Sequence, residues 1–211
     1  MALEVFDYRT DIRNVFVSPQ IRSRFLRMEP GAVAERHSHD LGHEIFLILD
    51  GRAQFEISGE VAELGPGQMC VARVDEPHQV SVVGDEPMTM YLSVTPHIQP
   101  THTGRDADDE RQPIRFMPSS AYDQQESRIP IDESIDHFVE LAESLASMAQ
   151  TAAEEARMAG ARLSRGLTAR NPESTERQRE IMSFGVYRTF DKIFEMAAVW
   201  NKLAPRAGRR E

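Results

Sequence analysis

The chain has 211 residues, of which 40% are hydrophobic, enough for one good-sized domain or two small ones. Its 24 lysines and arginines stand against 34 aspartates and glutamates, so the formal net charge is −10. An acidic surface of this kind repels phosphate groups, which disfavours binding to nucleic acid or to an anionic membrane.

Three features of the chain predict a cytoplasmic protein. Cys70 is the single cysteine, which excludes an internal disulfide and suits a reducing compartment. Residues 1–13 carry charges throughout and lack the apolar core of a signal peptide. No later segment approaches the apolar length that a bilayer span requires.

Short strands separated by turns are predicted over the first hundred residues. The apolar or alternating pieces lie at residues 15–17, 24–28, 45–49, 53–57, 61–64, 69–74, 78–83 and 88–94. Glycine and proline separate most of them, as in the turn formed by Gly65, Pro66 and Gly67. Many short strands at this spacing are typical of a sandwich or barrel, and we expect a small jelly-roll β-barrel.

The stretch from Gly31 to Gly51 contains the strongest chemical signal. One residue separates His37 from His39, so in a strand both side chains point to the same face. Glu44 follows five residues later and opens the apolar run 45–49, which reads as a buried strand ended by a tight turn.

Glu44 shares its predicted face with Phe46 and Ile48. An ionised carboxylate among apolar neighbours is unfavourable unless a positive charge meets it. A divalent metal held by neutral imidazoles and one carboxylate removes that cost. The residues therefore indicate a metal site inside a β structure.

The spacing in this stretch resembles the first signature of the cupin superfamily. The fixed positions are Gly31, His37, His39, Glu44 and Gly51, separated by five, one, four and six residues. The spacing from Gly67 to His78 resembles the second signature, although Arg73, Asp75 and Val82 stand where the family often has proline, glycine and asparagine. The resemblance covers roughly the first hundred residues. It implies that His37, His39, Glu44 and His78 bind one metal ion.

Three imidazoles and one carboxylate suit several metals, namely Fe2+, Mn2+, Ni2+, Co2+, Cu2+ and Zn2+. Four protein ligands leave one or two open positions on an octahedral metal, as a catalytic metal requires. Resemblance to cupins implies dioxygenation, isomerisation, decarboxylation or lyase chemistry. We favour Fe2+ and a dioxygenase-type oxidoreductase, because an apolar pocket shields reactive oxygen species.

Strand parity also predicts the walls of a substrate pocket. Phe46 and Ile48 share a face with Glu44, and Val80 shares one with His78, so the cavity should be largely apolar. Gln54, Arg73 and Tyr91 are the polar residues that could reach it. Arg73 could bind a substrate carboxylate or could be a solvated turn residue.

Three other histidines are weaker candidates. His43 should point away from Glu44, either to the surface or behind the ligands. His97 and His102 lie where the barrel should end, either as ordinary loop residues or as groups that close its mouth.

The barrel is expected over residues 1–97, and residues 98–130 change character. This segment is polar, acidic and interrupted by prolines, and it is too long for an ordinary connection. It is therefore a linker or a flap over the barrel. The residues that could dock it are Ile114, Phe116, Met117 and Tyr122.

Beyond Ile131 the apolar period changes from two to about three and a half residues. A first helix of about thirty-five residues, roughly 50 Å long, should run to about Leu167. A second should begin at Asn171 and Pro172 and fade near Pro205. Together they predict an antiparallel helical hairpin over residues 131–205, followed by a disordered tail at 206–211.

The fold expected is therefore α+β, a jelly-roll barrel followed by a long helical hairpin. Because the hairpin exceeds what barrel catalysis requires, we expect a homodimer built partly by the helices. Three functions remain open: a metal-dependent enzyme acting on a small organic molecule, a non-catalytic sensor of a metal or small ligand, or a storage or structural protein with a relic site. In the second, the hairpin would be the surface for dimerisation or a partner.

Overall fold

The structure is a computed structural model and describes residues 3–207. It divides into two compact units, one formed by residues 3–127 with 204–207 and the other by Arg128–Leu203. The first unit contains ten strands: β1 (Asn14–Val17), β2 (Arg22–Met28), β3 (His37–Ser38), β4 (His43–Asp50), β5 (Ala53–Ile57), β6 (Glu60–Leu64), β7 (Met69–Ala72), β8 (His78–Val82), β9 (Met88–Thr95) and β10 (Thr103–Gly104).

These strands form two five-stranded antiparallel sheets. One has the order β1-β2-β9-β4-β7 and the other the order β10-β3-β8-β5-β6. The chain crosses between the sheets several times; for example, β4 lies in the first sheet and β5 in the second. The predicted jelly-roll class is confirmed, as are all the strands expected from sequence pattern, to within a few residues.

The core lies between the two sheets and follows the two-residue period of the strands. On β4 the inward side chains are Glu44, Phe46 and Ile48, none more than 2% exposed. Phe55 of β5 and Met90 of β9 meet them from the facing and adjacent strands. The alternation that predicted these strands therefore also predicted their buried face.

Two glycine turns have a conformational requirement. The β5–β6 hairpin turns at Ser58 and Gly59, both with positive φ, as a two-residue type I′ turn needs. Gly51 ends β4 with φ +70°, and a Cβ there would collide with the carbonyl of Pro87. Only glycine fits this position without moving the neighbouring strand.

Strands β3 and β10 were not among the strands expected from sequence pattern. They pair with each other, Thr103 against Ser38 and Gly104 against His37, so the chain beyond residue 97 rejoins the barrel. We call residues 98–127 the flap. Two of its arginines anchor it to Asp75: Arg105 through an ion pair, and Arg111 at 2.9 Å. Of the two alternatives, linker or flap, these contacts favour the flap.

The predicted helical hairpin is confirmed as α1 (Ile131–Thr168) and α2 (Pro172–Ala207). Phe138 and Trp200 pack with ring centroids 5.6 Å apart, and Gly185 lies against Ala152. Near the turn, the hydroxyl of Thr175 lies beside Gly166. Contacts of this order along the two helices are those of an antiparallel pair.

The second helix continues through Pro205 to Ala207, two residues beyond the expected end. The remainder of the expected tail, residues 208–211, lies outside the described residues. Within residues 3–207, no helix combines the length and apolar character that crossing a bilayer requires.

Candidate metal centre

The four predicted ligands come together inside the barrel. His37 of β3 is the direct register partner of His78 on β8, and Glu44 projects from β4 in the facing sheet. His39 follows β3, where its carbonyl accepts a hydrogen bond of 2.8 Å from the N–H of Asp75. One candidate ligand atom from each of the four residues lies within 4.8 Å of the other three.

The centre of this group is Oε2 of Glu44. It lies 2.8 Å from Nε2 of His39, 3.1 Å from Nε2 of His78 and 3.7 Å from Nε2 of His37. Glu44, His39 and His78 are each at most 2% exposed, whereas His37 is half-buried. The side of the group nearest solvent is therefore the side of His37.

Backbone carbonyls fix the orientation of all three imidazoles. Nδ1 of His37 donates to the carbonyl of Glu35 and Nδ1 of His78 to that of Glu76, each at 2.9 Å. Nδ1 of His39 donates to the carbonyl of Thr101 in the flap. Because carbonyl oxygens only accept, each neutral ring has its Nε2 lone pair directed at the others and at Glu44.

This donor set fits a divalent cation. Three lone pairs and a carboxylate directed at one point repel one another unless protons or a metal ion separate them. Nε2 of His37 is buried and has no hydrogen-bond partner among the described residues. The residues present therefore form a group that could bind a metal ion.

The electrostatics of the group agree with this arrangement. Burial raises the pKa of Glu44, but the three imidazoles around its Oε2, those of His37, His39 and His78, outweigh burial and hold that pKa well below its usual range. Burial lowers the pKa of His39 despite the opposing effect of Glu44. An ionised carboxylate beside a neutral imidazole is the protonation state that a metal ion requires of its ligands.

A cavity of about 550 Å³ opens onto one side of the group. Among the ligands, His37 and Glu44 line this cavity, while His39 and His78 lie behind them. Its apolar wall comes from β2, β4, β8 and β9, and the flap covers part of it. The residues that line the cavity include Arg22, Arg24, Leu26, Phe46, Val80, Met90, Leu92, His102, Met117 and Tyr122.

Two of the predicted pocket residues lie on the wall of this cavity. Phe46 and Val80 line the cavity, as strand parity predicted. Ile48 shares their face, but it lies deeper in the barrel and is completely buried in the core. It therefore packs beneath the cavity and does not line it.

The structure places the three polar candidates away from this cavity. Gln54 alternates with the buried Phe55 and is exposed on β5, and Arg73 is exposed just after β7. Tyr91 points to the outer side of β9, where its hydroxyl lies 3.0 Å from that of Ser23. Its neighbours Met90 and Leu92 are the residues of β9 that line the cavity.

His102, a weaker candidate in the sequence, lies next to two of the predicted ligands. Its ring centroid lies 4.7 Å from that of His37 and 4.8 Å from that of His39. Nδ1 of His102 is 3.0 Å from the hydroxyl of Thr101, which in turn is 2.9 Å from the hydroxyl of Tyr122. Of the two alternatives for this histidine, the one at the barrel mouth agrees with the structure.

The other two histidines lie farther from the centre. His97 is buried against the ring of Tyr122, with centroids 4.7 Å apart. His43 is exposed on the opposite face from Glu44, and its Nδ1 accepts a hydrogen bond of 3.2 Å from the N–H of Val74. The predicted placement of His43 away from the ligand face is confirmed.

Comparison with known proteins agrees with the fold. Residues 24–95 match the Cupin_2 family model, described as a cupin domain, and the N-terminal unit is a cupin domain. The match includes His37, His39, Glu44 and His78, the candidate metal-binding group, called the metal-binding group from here on. No curated protein matches this chain.

Several solved structures resemble part of the chain. One is an uncharacterised conserved protein with a double-stranded beta-helix domain from Klebsiella pneumoniae, at 20% identity, with 45% of this chain and 91% of that chain covered and a TM-score of 0.43. A second is the Cupin_2 domain of an XRE family transcriptional regulator from Enterobacter cloacae, at 21% identity, 39% and 92% coverage and a TM-score of 0.38.

A third is a variant of salicylate 1,2-dioxygenase from Pseudoaminobacter salicylatoxidans, solved in complex with gentisate. It shares 19% identity, with 36% of this chain and 20% of that chain covered and a TM-score of 0.34. With TM-scores below 0.5, these likenesses carry no information about the activity of this chain.

Proposed function

We propose that this protein is a mononuclear metal-dependent enzyme of the dioxygenase type, acting on a small organic molecule. One observation carries the proposal: three imidazoles and a carboxylate converge at the wall of a cavity of about 550 Å³. Cavities of a few hundred cubic ångströms are the size that binds small molecules.

The ligand arrangement leaves room for chemistry on one side. His39 and His78 are enclosed, whereas His37 and Glu44 face the cavity, so a substrate would approach past these two residues. Four protein ligands leave one or two positions open on a six-coordinate ion. A bound Fe2+, which we favour over Mn2+, Ni2+, Co2+, Cu2+ or Zn2+, would supply the redox chemistry of oxygen.

The rest of the cavity holds and shields the substrate. Phe46, Val80 and Leu92 provide an apolar wall beside the ligands, and Met117 of the flap also lines the cavity. An apolar, partly covered site excludes water and so protects reactive species from side reactions. His102, next to His37, can exchange hydrogen bonds with a substrate placed there.

Oxygen uptake tests this proposal. The full chain would be reconstituted with Fe2+ without oxygen and then mixed with oxygenated buffer and a panel of small aromatic and aliphatic compounds. We expect Fe2+-dependent oxygen consumption with at least one compound and none in His37→Ala. Protein with stoichiometric Fe2+ that consumes no oxygen with any compound would count against a dioxygenase.

A second function, that of a sensor, is favoured by the surface of the hairpin. Phe184, Tyr187 and Phe190 of α2 are all more than half exposed. Phe184 and Tyr187 are three residues apart and so lie on the same side of the helix. Apolar surface of this extent commonly marks an interaction site.

We propose a second copy of this chain as the partner, because few side chains of the hairpin are buried within one copy. A homodimer through the helices would cover Phe184, Tyr187 and Phe190. If the protein were a sensor, metal loading would change the dimer affinity without any turnover of substrate. Light scattering at several protein concentrations, with and without metal, separates the two functions.

A further inference from the structure

Two arginines of β2 line the cavity beside the metal-binding group. Arg22 and Arg24 alternate with Ser23 on the strand, so both side chains face inward. In the sheet register Arg22 lies opposite Val94, which is opposite Glu44. Arg24 occupies the next inward row, opposite Leu92 and Phe46. Arg24 thus lines the cavity one row of inward-facing residues away from the carboxylate of Glu44.

The two cations differ in their partners. Nη2 of Arg22 lies 3.6 Å from Oε1 of Glu44, which balances its charge. Arg36, a third cation on the cavity wall, forms ion pairs with Glu56 and Asp109. Among the described residues, Arg24 forms no ion pair, and its buried Nε has no hydrogen-bond partner.

Asp123 is the carboxylate that most affects Arg24, yet it is engaged elsewhere. It accepts hydrogen bonds of 2.8 and 2.9 Å from the N–H and side-chain amide of Asn14. Burial, followed by the neighbouring Arg22, lowers the pKa of Arg24, and Asp123 only partly opposes this. The electrostatics agree with the geometry that Arg24 lacks a full counter-charge.

The lining of the cavity contains four arginines and two glutamates, one of which is Glu44 itself. Arg22 and Arg36 have counter-charges, so among the described residues Arg24 is the inward-facing arginine of β2 that lacks an ion pair. A cation bound at the ligand group would add a further positive charge. Since buried guanidinium groups are unfavourable without an anionic partner, the cavity is suited to an anion.

The apolar wall restricts what kind of anion fits. Arg24 is flanked by Leu26 on its own strand and by Leu92 on β9, and Phe46 follows in the same row. A carboxylate on an apolar body matches this pattern, because its head can accept the fork of N–H donors while the body covers the wall. A small, strongly hydrated ion such as phosphate would leave the wall uncovered.

We propose that the substrate of this site is an aromatic or aliphatic carboxylic acid whose carboxylate pairs with Arg24 while its body extends over Leu92 and Phe46 towards the metal-binding group. This inference rests on the function proposed above, and it specifies the class of substrate. Arg24 is the residue that determines specificity for the acid.

Calorimetric titration of the full chain tests the inference with three matched pairs of probes. These are benzoate and benzamide, phenylacetate and phenylacetamide, and hexanoate and hexanamide. In at least one pair we expect the acid to bind at least about 10-fold tighter than its amide, since hydrogen bonds to charged groups contribute that much. Inorganic phosphate should bind no better than the amides.

Substitution of two arginines on the same strand provides the matched comparison. Arg24→Gln should weaken binding of the acid by about 10- to 100-fold and leave the amide unchanged. Arg27→Gln removes the same charge from an exposed position that pairs with Glu29, so acid binding should stay within about twofold. Arg24→Lys keeps the charge without the fork and should restore part of the preference.

These measurements distinguish failure of the carboxylic-acid site from failure of the proposed dioxygenase function. Equal binding of acid and amide in all three pairs, or equal effects of Arg24→Gln and Arg27→Gln, overturns the inference even if the protein consumes oxygen. A preference for acids that disappears in His37→Ala but persists in Arg24→Gln also overturns it, because the metal would then be the anion site. An Arg24-dependent preference without oxygen uptake supports the acid site and contradicts the dioxygenase.

Discussion

Arg22 and Glu44 face each other across β9, with Nη2 and Oε1 3.6 Å apart and both side chains at most 5% exposed. The carboxylate of Glu44 therefore has two environments. Its Oε2 faces three imidazoles, and its Oε1 faces a guanidinium. Glu44 therefore connects the metal-binding group to the basic wall of the cavity, which is formed by Arg22 and Arg24 of β2.

The first prediction concerns this buried pair. Arg22→Met should lower the free energy of unfolding by about 3 kcal/mol in metal-free protein, because the buried carboxylate loses its cation. The loss should be smaller in metal-loaded protein, where an ion supplies the positive charge. Urea unfolding, with and without a chelator, measures both values.

The control for this prediction is Arg27→Met, on the same strand but exposed and paired only with Glu29. It should change stability by less than about 1 kcal/mol under both conditions. If Arg22→Met and Arg27→Met were equally harmless without metal, the pair would not stabilise the barrel.

The second prediction concerns acid stability. Burial, with Arg22 and His39 adding to it, lowers the pKa of His97 to about 3 from a usual value of 6.5. Between these two pH values the unfolded chain binds a proton at His97 that the folded chain does not. Stability from this group is therefore complete above pH 6.5 and is lost as the pH falls, by about 1.4 kcal/mol per pH unit.

Urea unfolding at pH 7, 6, 5 and 4 checks this dependence in the wild type and in His97→Gln, which cannot be protonated. The variant should lose stability less steeply below pH 6.5, even if it is less stable at pH 7. Effects of acid on the metal ligands are common to both proteins and do not alter the comparison. Parallel curves would show that His97 contributes nothing to acid sensitivity.

The third prediction concerns the helical hairpin. Phe184→Glu combined with Tyr187→Glu places two charges on the exposed side of α2. If a second copy covers this surface, the double variant should be monomeric where the wild type is a dimer. Light scattering at micromolar concentration measures the mass directly.

Val61→Glu serves as the control for the hairpin variant. Val61 lies on β6 of the barrel and is 59% exposed, close to the exposure of Phe184. This variant should remain dimeric. A monomeric wild type would reject the proposed dimer outright.

Much of the metal-binding group could be predicted because its information is local. Alternation along β4 fixes Glu44 on the buried face, and the spacing of His37 and His39 fixes their common direction. His78 lies far from the other three residues in the sequence, and it was predicted from the resemblance to the second cupin signature. Local periodicity and family spacing together were sufficient for all four residues.

The basic wall could not be predicted from the same pattern. Arg22 and Arg24 alternate with Ser23 and Phe25, and charged residues at alternate positions usually indicate the solvent face. The structure reverses this expectation, because a cavity replaces core packing at this end of the sheet. Strand parity predicted a cavity beside Glu44 and His78, but nothing in the sequence of β2 indicates that this strand also lines it.

The placement of His102 beside His37 and His39 could not be decided from the sequence, for a different physical reason. It lies in a polar segment, and its position depends on the two-residue strand β10 beside β3 and on arginines that anchor the flap to Asp75. The spacing of apolar residues along the chain does not reveal such long-range contacts. Tyr91 lies on the polar face of β9 with Thr89, Ser93 and Thr95, so the alternation along this strand already separated it from the apolar residues that line the cavity.

The fourth prediction, that His37, His39, Glu44 and His78 jointly bind one metal ion, is tested most directly by elemental analysis of purified protein. The matched variants are His37→Ala and His43→Ala, since His43 is a histidine of the same region that is exposed and faces away from the group. We expect about one metal ion per chain in the wild type and His43→Ala, and loss of most of it in His37→Ala and Glu44→Ala. Metal content equal to the wild type in both His37→Ala and Glu44→Ala would contradict the site.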